Sequence, residues 1–170
     1  MNKKIGFIGC GKMASAIIKG ILNSEHKNHL ELKGSELNCE IAEAAQTRLG
    51  ITVLSDNKAL AIDSDVIFIA TKPNYAAQVL EEIKDELTEE KLIVSIAAGV
   101  STEKISNIIG MHRIIRVMPN TPALVKEGMS GVCKGEFAKD EDIEFVKTLL
   151  SGIGTVSYTH LRAHETRSNL

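Results

Sequence analysis

The stretch that decides the fold is Ile5-Gly6-Phe7-Ile8-Gly9-Cys10-Gly11-Lys12-Met13-Ala14, an apolar run followed at once by a glycine bend. The run predicts a buried β-strand. The residues after the bend predict a helix, because one set of apolar positions recurs at the three-to-four spacing of a helix face: Met13, Ile17, Ile18, Ile21 and Leu22. The bend itself has the pattern GxGxxA, and strand, bend and helix together are typical of a turn that holds a pyrophosphate.

Each small residue of the bend has a physical role in that interpretation. Gly9 makes the tight turn, Gly11 lets the backbone approach the anion, and Ala14 lets the helix pack on the strand. The first N–H groups of the helix, and the positive end of its dipole, would then face the phosphate. A glycine-rich bend without a ligand is the alternative. Cys10 has no neighbouring base, so we interpret it as a small filler.

Strand and helix patterns alternate six times along the chain, which predicts a doubly wound parallel sheet of the Rossmann type. The further strands are expected at 30–34, 51–54, 65–70, 92–96 and 113–118. The further helices are expected at 38–49, 56–62, 75–87 and 102–109. Extra edge strands are expected at 131–133 and 153–156, around a helix over 139–150. On the second helix, the pattern places four residues inward: Ile41, Ala44, Ala45 and Leu49.

Composition excludes several classes of function. The chain has 170 residues and a net charge of −2, so it is one domain, or one domain and part of another, without the positive charge that nucleic acid requires. We expect neither a signal peptide nor a membrane span, because no apolar run is long enough. Three widely spaced cysteines, Cys10, Cys39 and Cys133, favour free thiols in a reducing cytoplasm. No zinc-like spacing predicts a metal site.

Three loops that follow successive predicted strands consist of small or stiff residues. They are Ala70-Thr71-Lys72-Pro73-Asn74, Ala97-Ala98-Gly99-Val100 and Met118-Pro119-Asn120-Thr121-Pro122. Since ligands of open α/β sheets lie at the carboxyl ends of strands, a cofactor stretched across this edge would account for all three loops. Ordinary tight turns are the alternative.

The end of the second strand bears on the choice of cofactor. Ser35 and Asn38 can donate hydrogen bonds to a 2′-phosphate, which favours NADPH. Glu36 could instead accept from ribose hydroxyls, as acids at this place do in NAD enzymes, so NADH is the alternative. Asn38 is equally suited to cap the following helix.

Four segments together resemble pyrroline-5-carboxylate reductases over roughly residues 3 to 156. They are Phe7–Ala14, Ala70–Pro73, Ser95–Val100 and the MPNTPALV segment within Arg116–Val125, which is the most specific of the four. The resemblance implies reduction of 1-pyrroline-5-carboxylate to L-proline with NADPH or NADH, the last step of proline biosynthesis. One departure is Leu37, where family members often have an arginine.

The resemblance also implies a set of site residues. Gly9, Gly11, Lys12 and Met13 would contact the pyrophosphate, and Ser35 and Asn57 would lie near the adenosine ribose phosphate. The ribose and nicotinamide would be lined by Ala70, Thr71, Lys72, Pro73, Ala97, Ala98 and Gly99. Asn120 and Thr121 would border the substrate. We assign no catalytic residue, because the sequence offers no convincing general acid or base.

The last fourteen residues, 157–170, show no likeness to the family. In the family an SGSGPAY-like motif and a helical domain follow instead, and that domain dimerises and supplies the substrate pocket. We therefore expect a dinucleotide-binding domain over 1–156 and a tail of vector or adapter read-through, with a genuine alternative ending as the other possibility. The parent would be a homo-oligomer and this chain inactive alone. The alternatives are a non-catalytic dinucleotide-binding module and a related β-hydroxyacid dehydrogenase or imine reductase.

Overall fold

The protein is described by a computed structural model over residues 2–119 and 128–158. Eight strands form one sheet in the order β3-β2-β1-β4-β5-β6-β7-β8. Their bounds are β1 Lys3–Ile8, β2 Leu30–Ser35, β3 Thr52–Leu54, β4 Val66–Ile69, β5 Leu92–Ser95, β6 Arg113–Met118, β7 Gly128–Lys134 and β8 Gly154–Tyr158. Strands β1 to β6 are parallel, β7 runs antiparallel to β6, and β8 is parallel to β7.

Within residues 2–119 and 128–158, six α-helices lie between the strands: α1 Lys12–Leu22, α2 Cys39–Leu49, α3 Asn57–Asp63, α4 Pro73–Ile83, α5 Thr102–Ile109 and α6 Asp140–Leu150. Several begin on side-chain caps. The Asp56 carboxylate accepts from the first amides of α3, and Ser101 and Asn38 cap α5 and α2. Gly50 ends α2 in the left-handed conformation, with φ of 69°.

The helices cover both faces of the sheet, which explains why the central strands are continuous apolar runs. One core lies between the sheet and α1, α2 and α6; the other lies against α3, α4 and α5. Successive residues of β4 alternate between the two, with Val66 and Phe68 in the first and Ile67 and Ile69 in the second. The ring of Phe7 stacks on that of Phe68 at 4.4 Å, which joins β1 to β4 at the centre of the sheet.

The predicted fold class, a doubly wound Rossmann-type sheet with extra edge strands, is confirmed. Helix α4 begins at Pro73 and not at 75, because proline suits the first turn of a helix, where its missing N–H is not needed, and it ends at Ile83 and not at 87. Strand β7 begins at Gly128, three residues before the expected 131. Strand β8 includes Ser157 and Tyr158, two residues past the expected boundary at 156. The proposed tail otherwise falls on 159–170, outside the described residues.

One prediction about the core is wrong. Ile41 and Ala44 are exposed, and α2 packs inward through Ala45 and Leu49. The helix lies over the short β3 at the edge of the sheet, so a narrow stripe of buried helix residues is enough to cover that strand. Over residues 2–119 and 128–158, no helix combines the length and apolar character needed to cross a membrane.

Candidate functional site

The glycine bend between β1 and α1 is fixed by its neighbours on both sides. The Gly9 amide donates to the Ser35 carbonyl at the end of β2, at 2.9 Å. Gly9 has φ of 95°, and a Cβ added there would lie 2.7 Å from the Ala70 carbonyl oxygen at the end of β4. Glycine is required at this position both by the backbone conformation and by the close approach of the next strand.

Gly11 is a glycine for a different reason. Its φ of −76° and ψ of −165° are open to any residue, and a Cβ added there would meet nothing within 4 Å. Its missing side chain instead leaves open space beside the first turn of α1. The first amide to bond within that helix is Ser15 N–H, to the Gly11 carbonyl at 2.9 Å, so the amides of residues 12–14 precede the helical hydrogen bonds. This arrangement fits an anion that needs backbone donors and close approach.

A cleft of about 470 Å³ opens beside the bend, at the carboxyl ends of β1, β2 and β4. Strand β1 lies between β2 and β4, so the chain winds outward from it in both directions, and such a switch point is where open α/β sheets bind ligands. Three exposed apolar side chains line the cleft: Leu37 (69% exposed), Ile41 (43%) and Tyr75 (52%). Exposed apolar groups around a concave site suit a flat ring system.

A buried polar chain fixes the cleft wall between β2 and α4. The Ser35 hydroxyl donates to the Asn57 side-chain carbonyl at 2.6 Å, and the Asn57 amide donates to the Glu82 carboxylate at 3.2 Å. Ser35 is fully buried and Asn57 almost so. The Ser35 hydroxyl was expected to donate a hydrogen bond to a phosphate, but in the structure it donates to Asn57 instead.

The Glu36 carboxylate is hydrogen-bonded to the bend. One carboxylate oxygen accepts from the Cys10 amide at 3.2 Å and the other from the Asn38 amide at 3.3 Å. Burial, with a smaller contribution from the Glu36 carboxylate, raises the pKa of the Cys10 thiol to about 11. Cys10 is thus a neutral, buried thiol, consistent with a filler and not with a nucleophile.

The loop after β4 contributes the other side of the cleft. The Thr71 hydroxyl oxygen is buried and has no hydrogen-bond partner among the described residues, so a ligand group that reached it would complete its bonding. Lys72 precedes α4 and is exposed. Among the described residues that line the cleft, it is the only cation.

The structure brings together seven of the predicted site residues on the cleft wall: Gly9, Gly11, Ser35, Asn57, Ala70, Thr71 and Lys72. Lys12 and Met13 begin α1, directly after the bend, and Pro73 begins α4. Ala97, Ala98 and Gly99 follow β5, which is the neighbour of β4, so they lie at the same edge of the sheet without lining the cleft. Asn120 and Thr121 lie outside the described residues.

Sequence reasoning missed the contribution of α4. Tyr75, Gln78, Val79 and Glu82 line the cleft, and their spacing of three, four and seven residues places them on one helix face. This spacing is the signal in the sequence that could have identified the cleft-lining face of α4. The face contains both polar and apolar residues, however, so it is not recognisable as a buried helix face. Within 2–119 and 128–158, no group of three or more histidine, cysteine or acidic side chains is placed to hold a metal ion.

The fold and the cleft define a dinucleotide-binding oxidoreductase domain. Residues 4–99, more than half of the chain, match the model of the family described as NADP oxidoreductase, coenzyme F420-dependent, and the chain belongs to that family. Among curated proteins it is 39% identical over 155 residues to the pyrroline-5-carboxylate reductase of Methanosarcina acetivorans, covering 91% of this chain and 57% of that protein. The Escherichia coli K12 enzyme of the same name is 37% identical over 155 residues, covering 91% of this chain and 58% of the enzyme.

Solved structures of proteins with the same name also resemble this chain. A pyrroline-5-carboxylate reductase from Coxiella burnetii superposes with a TM-score of 0.88 at 28% identity, covering 95% of this chain and 60% of that one. The Plasmodium falciparum pyrroline carboxylate reductase with NADP bound superposes with a TM-score of 0.81 at 31% identity. The match covers 94% of this chain and 58% of that chain. Prephenate dehydrogenase from Aquifex aeolicus shares the fold alone. It superposes with a TM-score of 0.81 at 13% identity, over 98% of this chain and 62% of that chain.

These matches confirm the likeness to pyrroline-5-carboxylate reductases that the sequence motifs predicted. The family description names NADP, and the Plasmodium falciparum structure has NADP bound. The chain spans a little under three fifths of the length of the curated relatives it matches.

Proposed function

We propose that this chain is the dinucleotide-binding part of a pyrroline-5-carboxylate reductase, which reduces 1-pyrroline-5-carboxylate to L-proline with NADPH or NADH. The observation that carries the proposal is the open space at Gly11, on the cleft wall and beside the first amides of α1. No backbone requirement of the protein explains a glycine there, whereas close approach of a pyrophosphate does. The named relatives supply the substrate class.

Different groups of the chain bind different parts of the dinucleotide. The amides of the bend and of the first turn of α1 face the pyrophosphate, and the wall of Leu37, Ile41 and Tyr75 takes the adenine ring. Thr71 and Lys72 follow β4, across β1 from Leu37 and Ile41, and contact the ribose on the nicotinamide side. The loops after β5 and β6 extend the same edge of the sheet towards the substrate.

A dinucleotide held by these groups would supply a hydride for the carbon of an imine that solvent has already protonated at nitrogen. The protein has to orient the ring and the imine and exclude water, and it needs no nucleophile of its own for this step. That requirement agrees with the neutral state of Cys10. We continue to assign no catalytic residue.

Binding is the first test. Purified chain is titrated with NADH and with NADPH by isothermal calorimetry, and amide shifts around positions 9–14 are followed by NMR. Saturable binding with shifts at those positions is expected. Absence of heat and of shifts with both dinucleotides would refute the proposal.

Turnover is the second test. The chain is assayed for oxidation of NADPH that depends on 1-pyrroline-5-carboxylate, and the same assay is run on the protein encoded by the full genomic reading frame. We propose that the full protein turns over, and the assay of this chain shows how much of that activity residues 1–170 retain. A full reading frame without an SGSGPAY-like stretch, or a full protein without activity, would contradict the assignment.

The setting proposed for the parent enzyme follows from the same features. We propose a cytoplasmic homo-oligomer without nucleic-acid partners, with a dinucleotide-binding domain that extends past the expected boundary at 156 through β8 to Tyr158, and a foreign tail after it. Fractionation, sedimentation of the full protein and the genomic frame past residue 156 test these points in turn.

A further inference from the structure

Arg116 of β6 is a buried cation without a counter-ion among the described residues. Its side chain is only 3% exposed, and its Nε and Nη1 atoms are buried without a hydrogen-bond partner. Within residues 2–119 and 128–158, no ion pair joins it to a carboxylate. Arginine is rarely buried unless it is paired, because removing its charge from water is costly. An anion at this residue would offset that cost.

Arg113, three residues earlier in the same strand, shows what a completed pair looks like in this protein. Its guanidinium donates to the Asp142 carboxylate at 2.9 Å and also to the Glu90 carbonyl, and Asp142 is itself buried. Arg113 therefore ties β6 to α6 and to the loop before β5, and a structural role explains it. No such set of bonds explains the burial of Arg116.

The strand partners of Arg116 supply no negative charge. Ser95 of β5 and Cys133 of β7 lie opposite it in the sheet, and both are buried. The Ser95 hydroxyl oxygen accepts from the Ala97 amide at 3.3 Å. Burial raises the pKa of the Cys133 thiol, and the nearby Arg116 charge only opposes this rise, so the thiol is neutral at pH 7. The counter-ion of Arg116 must therefore come from another group.

The position of Arg116 indicates which anion this is. The bend proposed to hold the pyrophosphate follows β1, and β4 and β5 separate β1 from β6, a distance of about 14 Å across three strand spacings. Arg116 lies two residues before the end of β6, next to β5 and the loop of Ala97 to Gly99 that follows it. The anion therefore belongs to the substrate end of the sheet and not to the pyrophosphate. A guanidinium matches the planar geometry of a carboxylate.

We propose that Arg116 is a carboxylate-binding residue at the substrate end of the sheet. Its Nε–H or Nη1–H groups donate charge-assisted hydrogen bonds to a carboxylate oxygen. Two sources share this chemistry. One is the carboxylate of 1-pyrroline-5-carboxylate, and this source rests on the proposed function. The other is an acid side chain in the part of the polypeptide by which the curated relatives exceed this chain.

The first test uses the 170-residue chain labelled with ¹⁵N. It is titrated with sodium acetate, and with sodium chloride at equal ionic strength, while the arginine Nε–H signals are followed by NMR. The signal that disappears in Arg116→Lys should shift saturably with acetate and not with chloride. The signal that disappears in Arg113→Lys should not respond to acetate, because Asp142 already pairs with that residue. Absence of an acetate-specific shift at Arg116 would overturn the inference.

A second test needs no ligand. Arg116→Met removes an unpaired buried charge, so the urea midpoint of the 170-residue chain should stay the same or rise. Arg113→Met is the matched control, since it leaves the buried Asp142 carboxylate without its cation and should lower the midpoint clearly. Equal losses in the two variants would mean that Arg116 is already satisfied inside the protein, which would overturn the inference.

The two sources are separated in the protein encoded by the full genomic reading frame. If the substrate is the partner, Arg116→Met should raise KM for 1-pyrroline-5-carboxylate at least about 10-fold without lowering the melting temperature. If an acid side chain is the partner, the same variant should lower the melting temperature, because a buried carboxylate loses its cation, and KM should stay within about threefold. A variant that changes neither quantity would overturn the inference. An inactive full protein would refute the proposed function alone, because the acetate titration does not depend on it.

Discussion

The two glycines of the bend should respond to the same substitution in opposite ways. Gly9→Ala forces a Cβ onto a residue with φ of 95° and places it 2.7 Å from the Ala70 carbonyl oxygen. The backbone conformation costs about 1–2 kcal/mol and the crowding about 1–3 kcal/mol. The reduced entropy of the unfolded chain returns about 0.4–1 kcal/mol. The net loss of about 2–4 kcal/mol corresponds to a fall in melting temperature of about 5–15 °C for a chain of this length.

Gly11→Ala should leave stability almost unchanged. The new Cβ meets nothing within 4 Å, and the backbone conformation is open to alanine. The gain in the unfolded state and the small loss of preference at the start of a helix largely cancel, to within about 0.5 kcal/mol. The methyl group projects beside the amides that we propose hold the pyrophosphate, however, so the dissociation constant of NADH should rise at least about 10-fold.

Thermal melts by circular dichroism and NADH titrations of the two variants and the unaltered chain check both statements. The reasoning would be refuted if Gly11→Ala melted as early as Gly9→Ala, because the open space at Gly11 would then be wrong. It would equally be refuted if Gly11→Ala bound NADH as tightly as the unaltered chain.

Three further predictions concern stability and reactivity. The pKa of the Asp63 carboxyl is lowered by hydrogen bonds from two lysines at 2.7 and 3.0 Å, so its contribution is present above about pH 4 and is lost as the pH falls below 3.8. Asp63→Asn should lower the free energy of unfolding in urea by less than about 1 kcal/mol at pH 7, and this difference should shrink as the pH falls below 3.8. At pH 8 the neutral, buried Cys10 should react slowly with Ellman's reagent, whereas the exposed Cys39 reacts at once, and Cys39→Ser should remove the fast phase. Ser35→Ala leaves the buried Asn57 carbonyl without its donor and should cost about 1–3 kcal/mol in urea unfolding.

Each of these has a contrary outcome. An Asp63→Asn effect of equal size at pH 7 and pH 2.5 would exclude the ion pairs as its cause. Fast modification of two thiols in the folded chain would contradict the burial of Cys10. A neutral Ser35→Ala would mean that water or a neighbouring group replaces the serine.

The sequence by itself determined the fold. The GxGxxA bend at Gly9 to Ala14 and the unbroken apolar run of β4 are local signals, because a tight turn and two-sided burial each demand particular residue types in sequence. Six parallel strands with short links then leave few possible topologies. The pyrophosphate end of the site followed from the same bend.

Only the tertiary structure decided what Ser35, Glu36 and Ile41 do. All three are near the end of β2, and the sequence offered each a plausible role: phosphate donor, ribose acceptor and core residue. Their roles depend on partners distant in sequence. Asn57 takes the serine hydroxyl, the Cys10 amide holds the glutamate, and α4 forms the opposite wall of the cleft that Ile41 lines. These contacts join residues that lie 20 to 40 positions apart, so they produce no periodic pattern in the sequence. For this physical reason the part of the cleft proposed for adenosine could not be assigned from the sequence.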